Sequence, residues 1–178
     1  MRGKKGKLHA DPADPPRCRA NNVKGHGTWD NDRPPVLGVV GRESGQIRLE
    51  VTQRSRREDL QPLVVNWTLD TVVVNTDEWV AYDHLVETGR QRSKVKHARP
   101  NPEYARDDDG DGIREVHCNT MEGIWTGVRN FLRTFRGVNK KYLHGYLAIF
   151  EWGFNFKTGT EDLLRSLLGV GASTNLST

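Results

Sequence analysis

The chain has 178 residues, enough for one domain with a core of its own, and a formal net charge of +4. No apolar run is long enough to cross a bilayer and no signal-peptide pattern opens the chain, so no membrane partner is expected and a reducing, cytoplasmic setting is the default. Its two cysteines, Cys18 and Cys118, have no zinc-ligand spacing and exclude a disulfide framework.

Residues 1–35 carry eight Lys/Arg against four Asp, while the remainder balances at nineteen of each sign. Lys4, Lys5 and Lys7 open this segment, and Asp14-Pro15-Pro16 and Arg33-Pro34-Pro35 deny it regular structure. It reads as a basic, largely irregular arm for a polyanion or as a merely solvated leader. The apolar runs at Val36–Gly41 and Gln46–Thr52, joined by Glu43-Ser44-Gly45, predict a β-hairpin. Leu60, Leu63, Val64 and Trp67 predict a helix over 58–67, with Pro62 in its first turn.

Thr71–Asn75 is a β-branched run, which predicts a strand buried on both faces. Asp77 follows it directly, at a strand end where α/β folds place their chemistry. Glu78, its neighbour, is expected to point away. Trp79, Tyr82 and Leu85 suggest a short helix, and 93–97 a strand.

Asp107, Asp109 and Asp111, followed by Gly112, imitate the start of a calcium loop, although Cys118 stands where the closing Glu belongs. A solvated acidic loop is the competing reading.

Residues 115–136 predict the longest helix, with Met121, Ile124, Trp125, Val128, Leu132 and Phe135 on one stripe. A second stripe carries Glu122, Arg129, Arg133 and Arg136. A carboxylate suits a divalent metal, and guanidiniums suit phosphate. Asn119 and Glu122 also have the spacing of a capping box, which would explain both without a metal. The aromatic stripe of 140–156 (Tyr142, Tyr146, Phe150, Phe154) predicts a core-facing helix, and Leu163–Leu168 a last short one before a disordered tail. His84, His97, His117 and His144 share no metal-ligand spacing; only His117 lies near Glu122 in sequence.

Thr76-Asp77-Glu78-Trp79-Val80-Ala81-Tyr82 and His117-Cys118-Asn119-Thr120-Met121-Glu122-Gly123-Ile124-Trp125 resemble the signature segments of bacterial insertion-sequence transposases of the ISXO-two-like, or IS-fifteen-ninety-five, branch. Val39-Val40-Gly41-Arg42 and Trp152–Phe156 are similar to it too, so the resemblance spans roughly residues 34–157. It implies an α/β, ribonuclease-H-like catalytic domain over 36–157, between the basic arm and a tail from 158 to 178. It implies a DDE-type enzyme that cleaves and transfers DNA strands with two Mg²⁺ (or Mn²⁺) ions. Asp77 matches the second acid and Glu122 the third, 45 residues apart; Asn119 would replace or assist Glu122, and Arg129 would contact DNA phosphate. Self-association in a transposition complex is expected.

The family's first acid lies on an opening strand that has no counterpart in this chain. Asp11, Asp14, Asp30 and Asp32 lie in Pro/Gly-rich sequence and are poor candidates. The expectation is therefore a chain that begins after the first acid, inactive alone and marginally stable. Two further readings stand beside it: a non-catalytic DNA-binding remnant that interferes with intact transposase, and a calcium-binding module.

Overall fold

The computed structural model describes residues 24–156. The architecture is mixed α/β. Strands β1 (Val36–Val40) and β2 (Ile47–Val51) form the expected hairpin, antiparallel, with Val36 opposite Val51. Helix α1 (Arg57–Trp67) follows, with Pro62 inside it. Strand β3 (Val73–Thr76) leads to a 3₁₀ helix (Val80–Thr88) and to β4 (Gln91–Lys94), which pairs with β3 in parallel. The short strands β5 (Ala105–Arg106) and β6 (Val116–His117) pair antiparallel. Helices α2 (Asn119–Arg133) and α3 (Lys140–Asn155) close the order.

Two apolar clusters hold these elements. Ile47 and Leu49 of β2 pack against Ile124 and Val128 of α2 and Leu147 of α3, and these five side chains are almost wholly withdrawn from water. Each such side chain contributes about 1.5–3 kcal/mol relative to exposure. The second cluster joins Leu37 of β1 to Leu60 and Val64 of α1 and to Ala81 and Leu85 of the 3₁₀ helix. Gly38 lets α2 lie close on β1: a Cβ there would meet Met121 and would stand 2.8 Å from the Trp125 ring. The outer edge of β2 is covered by side chains of α3 rather than by another strand. Asn155 accepts from Ile47 N at 2.7 Å and donates to Ile47 O at 2.9 Å, and Glu151 accepts from Leu49 N at 2.7 Å. Backbone groups that an edge strand would otherwise expose are thereby satisfied.

Several expectations need correction. The strands form three two-stranded sheets, not one mixed sheet, among the described residues. β1 and β3 both feed the α1 cluster, through Leu37, Val39 and Val74, yet they do not pair with each other. β3 is not buried on both faces: Val73 is 49% exposed and only Thr76 is buried. The long helix is shorter than the 115–136 expected. Its apolar periodicity runs backward into 116–117, where pairing with β5 wins over helix, and forward past Arg133. Arg136 stands beyond the helix with φ 54° and so does not belong to the arginine stripe. The parallel strand lies at 91–94 rather than 93–97.

The 24–35 part of the basic segment is irregular but tied down. Trp29 N donates to Gln53 O, and Lys140 Nζ reaches both Trp29 O, at 2.7 Å, and Asp32, at 2.8 Å. Lys4, Lys5, Lys7 and the helix expected at 163–168 lie outside the described residues.

Candidate active site at the β3 end and the α2 start

Asp77 leaves β3 in a short loop held from below by Arg92 of β4. The Arg92 side chain is only 5% exposed. Its Nε donates to Thr76 Oγ1 at 2.8 Å, and its terminal nitrogens reach Asp77 O at 3.0 Å, Trp79 O at 3.3 Å and the Asp83 carboxylate. A planar fork with five donors can hold four acceptors at once, which an ammonium cannot. Asp77 Oδ1 accepts from Trp79 N at 3.0 Å, which fixes the side chain and leaves Oδ2 without a hydrogen bond among the described residues.

Glu122 lies on the exposed face of α2, in its first turn. The capping box does not form: the N-cap position falls on Cys118, with no side-chain cap, so Glu122 is not engaged in closing the helix end. Instead Glu122 Oε1 lies 3.7 Å from His97 Nδ1. The start of α2 is held by Arg42, just past the hairpin strand β1, whose guanidinium donates to Glu115 O and, at 2.8 Å, to His117 O. The motif at 39–42 thus acts on the site through the backbone ahead of Asn119.

Asp77 and Glu122 both act electrostatically on Cys118. Burial first, then the charges of Asp77 and Glu122, push the Cys118 thiol up to about 11. Asp77 is also the second cause, after burial, that pushes Tyr82 up to about 12. Carboxylates 45 residues apart in sequence therefore both bear on one thiol. His117 is shifted down by its own burial and then by Arg42, so it stays neutral at pH 7.

His97 and Glu78 were not singled out from the sequence as part of this site. His97 closes on Glu122 across 25 residues, a juxtaposition for which no local spacing exists. Glu78 does not simply turn away from the site. Its carboxylate accepts from His97 N at 2.7 Å, and its charge adds to the pressure on Cys118. Backbone amides, His97 first, hold Glu78 below the usual carboxylate range. Trp79 and Trp125 are half-buried in the two clusters, as core residues. Arg129 and Arg133 are exposed on α2, where Arg133 donates to Asn130 at 3.1 Å.

Oxygen donors with room for water and phosphate oxygens suit Mg²⁺, which commonly takes one or two carboxylates from a protein and the rest from substrate. Asp77 and Glu122 fit that donor set. Among the described residues no third carboxylate closes on them at metal-ligand range. Asp30 is tied to Arg54 at 3.3 Å and Asp32 to Lys140, away from the pair; Asp11 and Asp14 lie outside the described residues.

The three acids that do converge are Asp107, Asp109 and Glu115, with one oxygen of each within 4.8 Å of the others. This differs from the expected calcium-loop pattern, since Asp111 instead accepts from Ile113 N at 2.7 Å. The loop is closed by its own amides: Asp107 accepts from Gly110 N and Gly112 N, which hold its carboxyl below the usual range.

No helix among the described residues is long and apolar enough to cross a membrane. No solved structure matches the chain. A similar curated protein is described as an uncharacterized protein in transposable element ISH50, from Halobacterium salinarum. It is 29% identical over 150 residues, which cover 84% of this chain and 47% of that protein. The chain thus spans about half the length of the curated relative it matches. The sequence pattern of the ISXO2-like transposase domain matches residues 12–155, which takes in both carboxylate segments, the hairpin and all three helices, and the chain belongs to that family.

Proposed function

We propose that this chain is the catalytic part of a DDE-type insertion-sequence transposase, with Asp77 and Glu122 as two of its metal-holding acids. The observation that carries the reading is the link through His97, whose backbone N–H donates to Glu78, next to Asp77, at 2.7 Å and whose Nδ1 lies 3.7 Å from Glu122 Oε1. Mg²⁺ or Mn²⁺ ions, two in a complete site, would supply Lewis-acid stabilisation of an in-line phosphoryl transfer. The chain's own residues do the placing. Arg92 and Trp79 N fix Asp77, Arg42 fixes the backbone ahead of α2, and His97 sets Glu122. Asn119, one turn before Glu122, offers a neutral oxygen beside the pair. Arg129 and Arg133 extend from the same helix toward DNA phosphates, and Lys4, Lys5, Lys7 and Arg136 add positive charge for the same partner.

The fold we assign is ribonuclease-H-like, with residues 36–157 as its catalytic unit. In support, β1–β2 and β3–β4 share the α1 cluster without pairing, an arrangement that one strand between β1 and β3 would turn into a single mixed sheet. A third acid on such a strand would complete the metal site. The described residues alone, with two acids, support weak metal binding and turnover reduced by orders of magnitude. Self-association on DNA would be the means of joining two element ends.

Mn²⁺ binding followed by water-proton relaxation tests the assignment on the full chain, with Asp109→Asn as background to silence the acidic loop. Asp77→Asn and Glu122→Gln should each weaken the remaining site by at least tenfold. Equal Mn²⁺ affinity in both variants and their parent would remove the basis for the assignment.

A further inference from the structure

We propose that the cleft beside Asn119 binds a single unpaired nucleotide of the DNA next to the phosphate being attacked. This rests on the reading of the chain as a DNA-processing domain. The cleft has a volume of about 830 Å³, within the range of roughly 300–1,000 Å³ usual for small-ligand sites. Asn101, Tyr104, Arg106, Arg114 and Asn119 line it.

Its chemistry is that of a nucleotide rather than of a polyanionic duplex or a small anion. Tyr104 is 56% exposed, and its hydroxyl makes no hydrogen bond among the described residues. The ring is in tilted contact with His97, centroids 5.2 Å and planes 38° apart, and its exposed part offers aromatic surface for a base to stack on. Arg106 and Asp107 in the wall are already engaged. Arg106 pairs with Glu103 at 3.1 Å and with Asp108, and the Asp107 oxygens accept amides of its own loop. Arg114 is exposed and unpaired among the described residues, which makes it the cation for one phosphate. The amides of Asn101 and Asn119 are likewise unbonded, and each offers a donor and an acceptor to a base edge. One π-face, one cation and two amides match one nucleotide, whereas a duplex calls for a row of cations.

The position of the cleft sets which nucleotide. Tyr104 touches His97, His97 touches Glu122, and Asn119 stands one turn before Glu122. A base stacked on Tyr104 therefore belongs to a residue adjoining the phosphate at the two carboxylates. Such a base must be out of its stack, so the cleft selects frayed or unpaired substrate ends.

The test uses the full chain and two fluorescein-labelled DNA duplexes of one sequence, one fully paired and one with a single unpaired 2-aminopurine. Wild type should bind the second about tenfold more tightly and change its 2-aminopurine emission on binding. Tyr104→Ala should lose both the preference and the emission change, and Tyr104→Phe should keep both. Arg114→Ala should flatten the plot of log affinity against log salt by about 0.9 for the unpaired DNA. Equal binding of both duplexes by wild type, or a preference that survives Tyr104→Ala, overturns the proposal. Mn²⁺ binding measured on the same proteins separates this from the metal assignment. Tyr104→Ala should leave it unchanged, and loss of Mn²⁺ binding in Glu122→Gln should leave the nucleotide preference intact. A Mn²⁺ failure with the preference retained thus counts against the metal assignment alone.

Discussion

Replacing Asp77 by Asn should make the Cys118 thiol ionise more easily, since the Asp77 charge is the second cause, after burial, of its rise to about 11. At pH 8 a thiol at about 11 is ionised in roughly one molecule in a thousand, against about a quarter for an ordinary thiol near 8.5. That is a deficit of roughly 250-fold in thiolate. A more basic thiolate is also the better nucleophile, with a sensitivity of about 0.4–0.5, which returns roughly tenfold. Cys118 should therefore react with iodoacetamide about twentyfold more slowly than an unperturbed thiol, before any loss from restricted access. Cys18→Ser provides a single-thiol background. In it, Asp77→Asn and Glu122→Gln should each speed alkylation by about two- to fivefold, and the double variant by more, while burial keeps all of them slower than the guanidinium-unfolded chain. Asp59→Asn, on α1, serves as the control for a general change in charge. If both site variants alkylate at the parent rate, or no faster than Asp59→Asn, the two carboxylates do not both bear on Cys118 and the active-site assignment loses that support.

Leu147, almost fully buried in the cluster of apolar side chains from β1, β2, α2 and α3, should cost about 2–5 kcal/mol as Leu147→Ala in urea unfolding. Arg92→Met removes the bonds to Thr76 Oγ1, Asp77 O and Trp79 O, although Thr76 Oγ1 still donates to Asp77 O and Tyr82 N to Trp79 O, and should cost about 1–3 kcal/mol; Arg92→Lys should recover only part, and an undiminished unfolding midpoint in either would show that the Asp77 loop holds itself. Glu151→Ala uncovers Leu49 N at the β2 edge, at about 1–3 kcal/mol, whereas Glu151→Gln keeps an acceptor and should lose less. His117, shifted down by burial, binds a proton more readily when unfolded, so its share of stability is complete above about pH 6.5 and is lost as pH falls below that. His117→Gln should flatten the melting-temperature profile between pH 6.5 and 5; an unchanged slope would assign that dependence elsewhere.

The elements were legible wherever local pattern and packing agreed. The alternation at Ile47, Leu49 and Val51 produced a hairpin because one face meets α2 and α3, and Asn139 caps α3 where the pattern begins. The beginning of α2 was not legible, because the helical period of the apolar residues continues through Val116 while the decision lies in a two-residue pairing with Ala105 and Arg106. Those partners are ten and twelve residues away across an acidic loop. That boundary places Asn119 and Glu122 of the proposed site. With the N-cap on Cys118, Asn119 and Glu122 are released from capping each other, and Glu122 becomes available to His97 and to Asp77's neighbourhood.

The site itself shows the same division. The place of Asp77 was readable because a β-branched run must end somewhere, and the residue after it falls at a strand end. Its supports were not readable. Arg92 and His97 owe their roles to the parallel pairing of β3 with β4, which sets Thr76 opposite Lys94 and turns the Arg92 side chain under the Asp77 loop. A parallel pair requires a crossover, here the 3₁₀ helix, so the two partners are never close in sequence. Acids that face a substrate leave a local trace in sequence, since a polar residue interrupts an apolar run. The cations and imidazoles that hold such acids in place sit among ordinary charged residues and acquire their function only from register. A shift of β4 by one residue would turn Arg92 to the opposite face and unfasten Asp77 without altering a single motif.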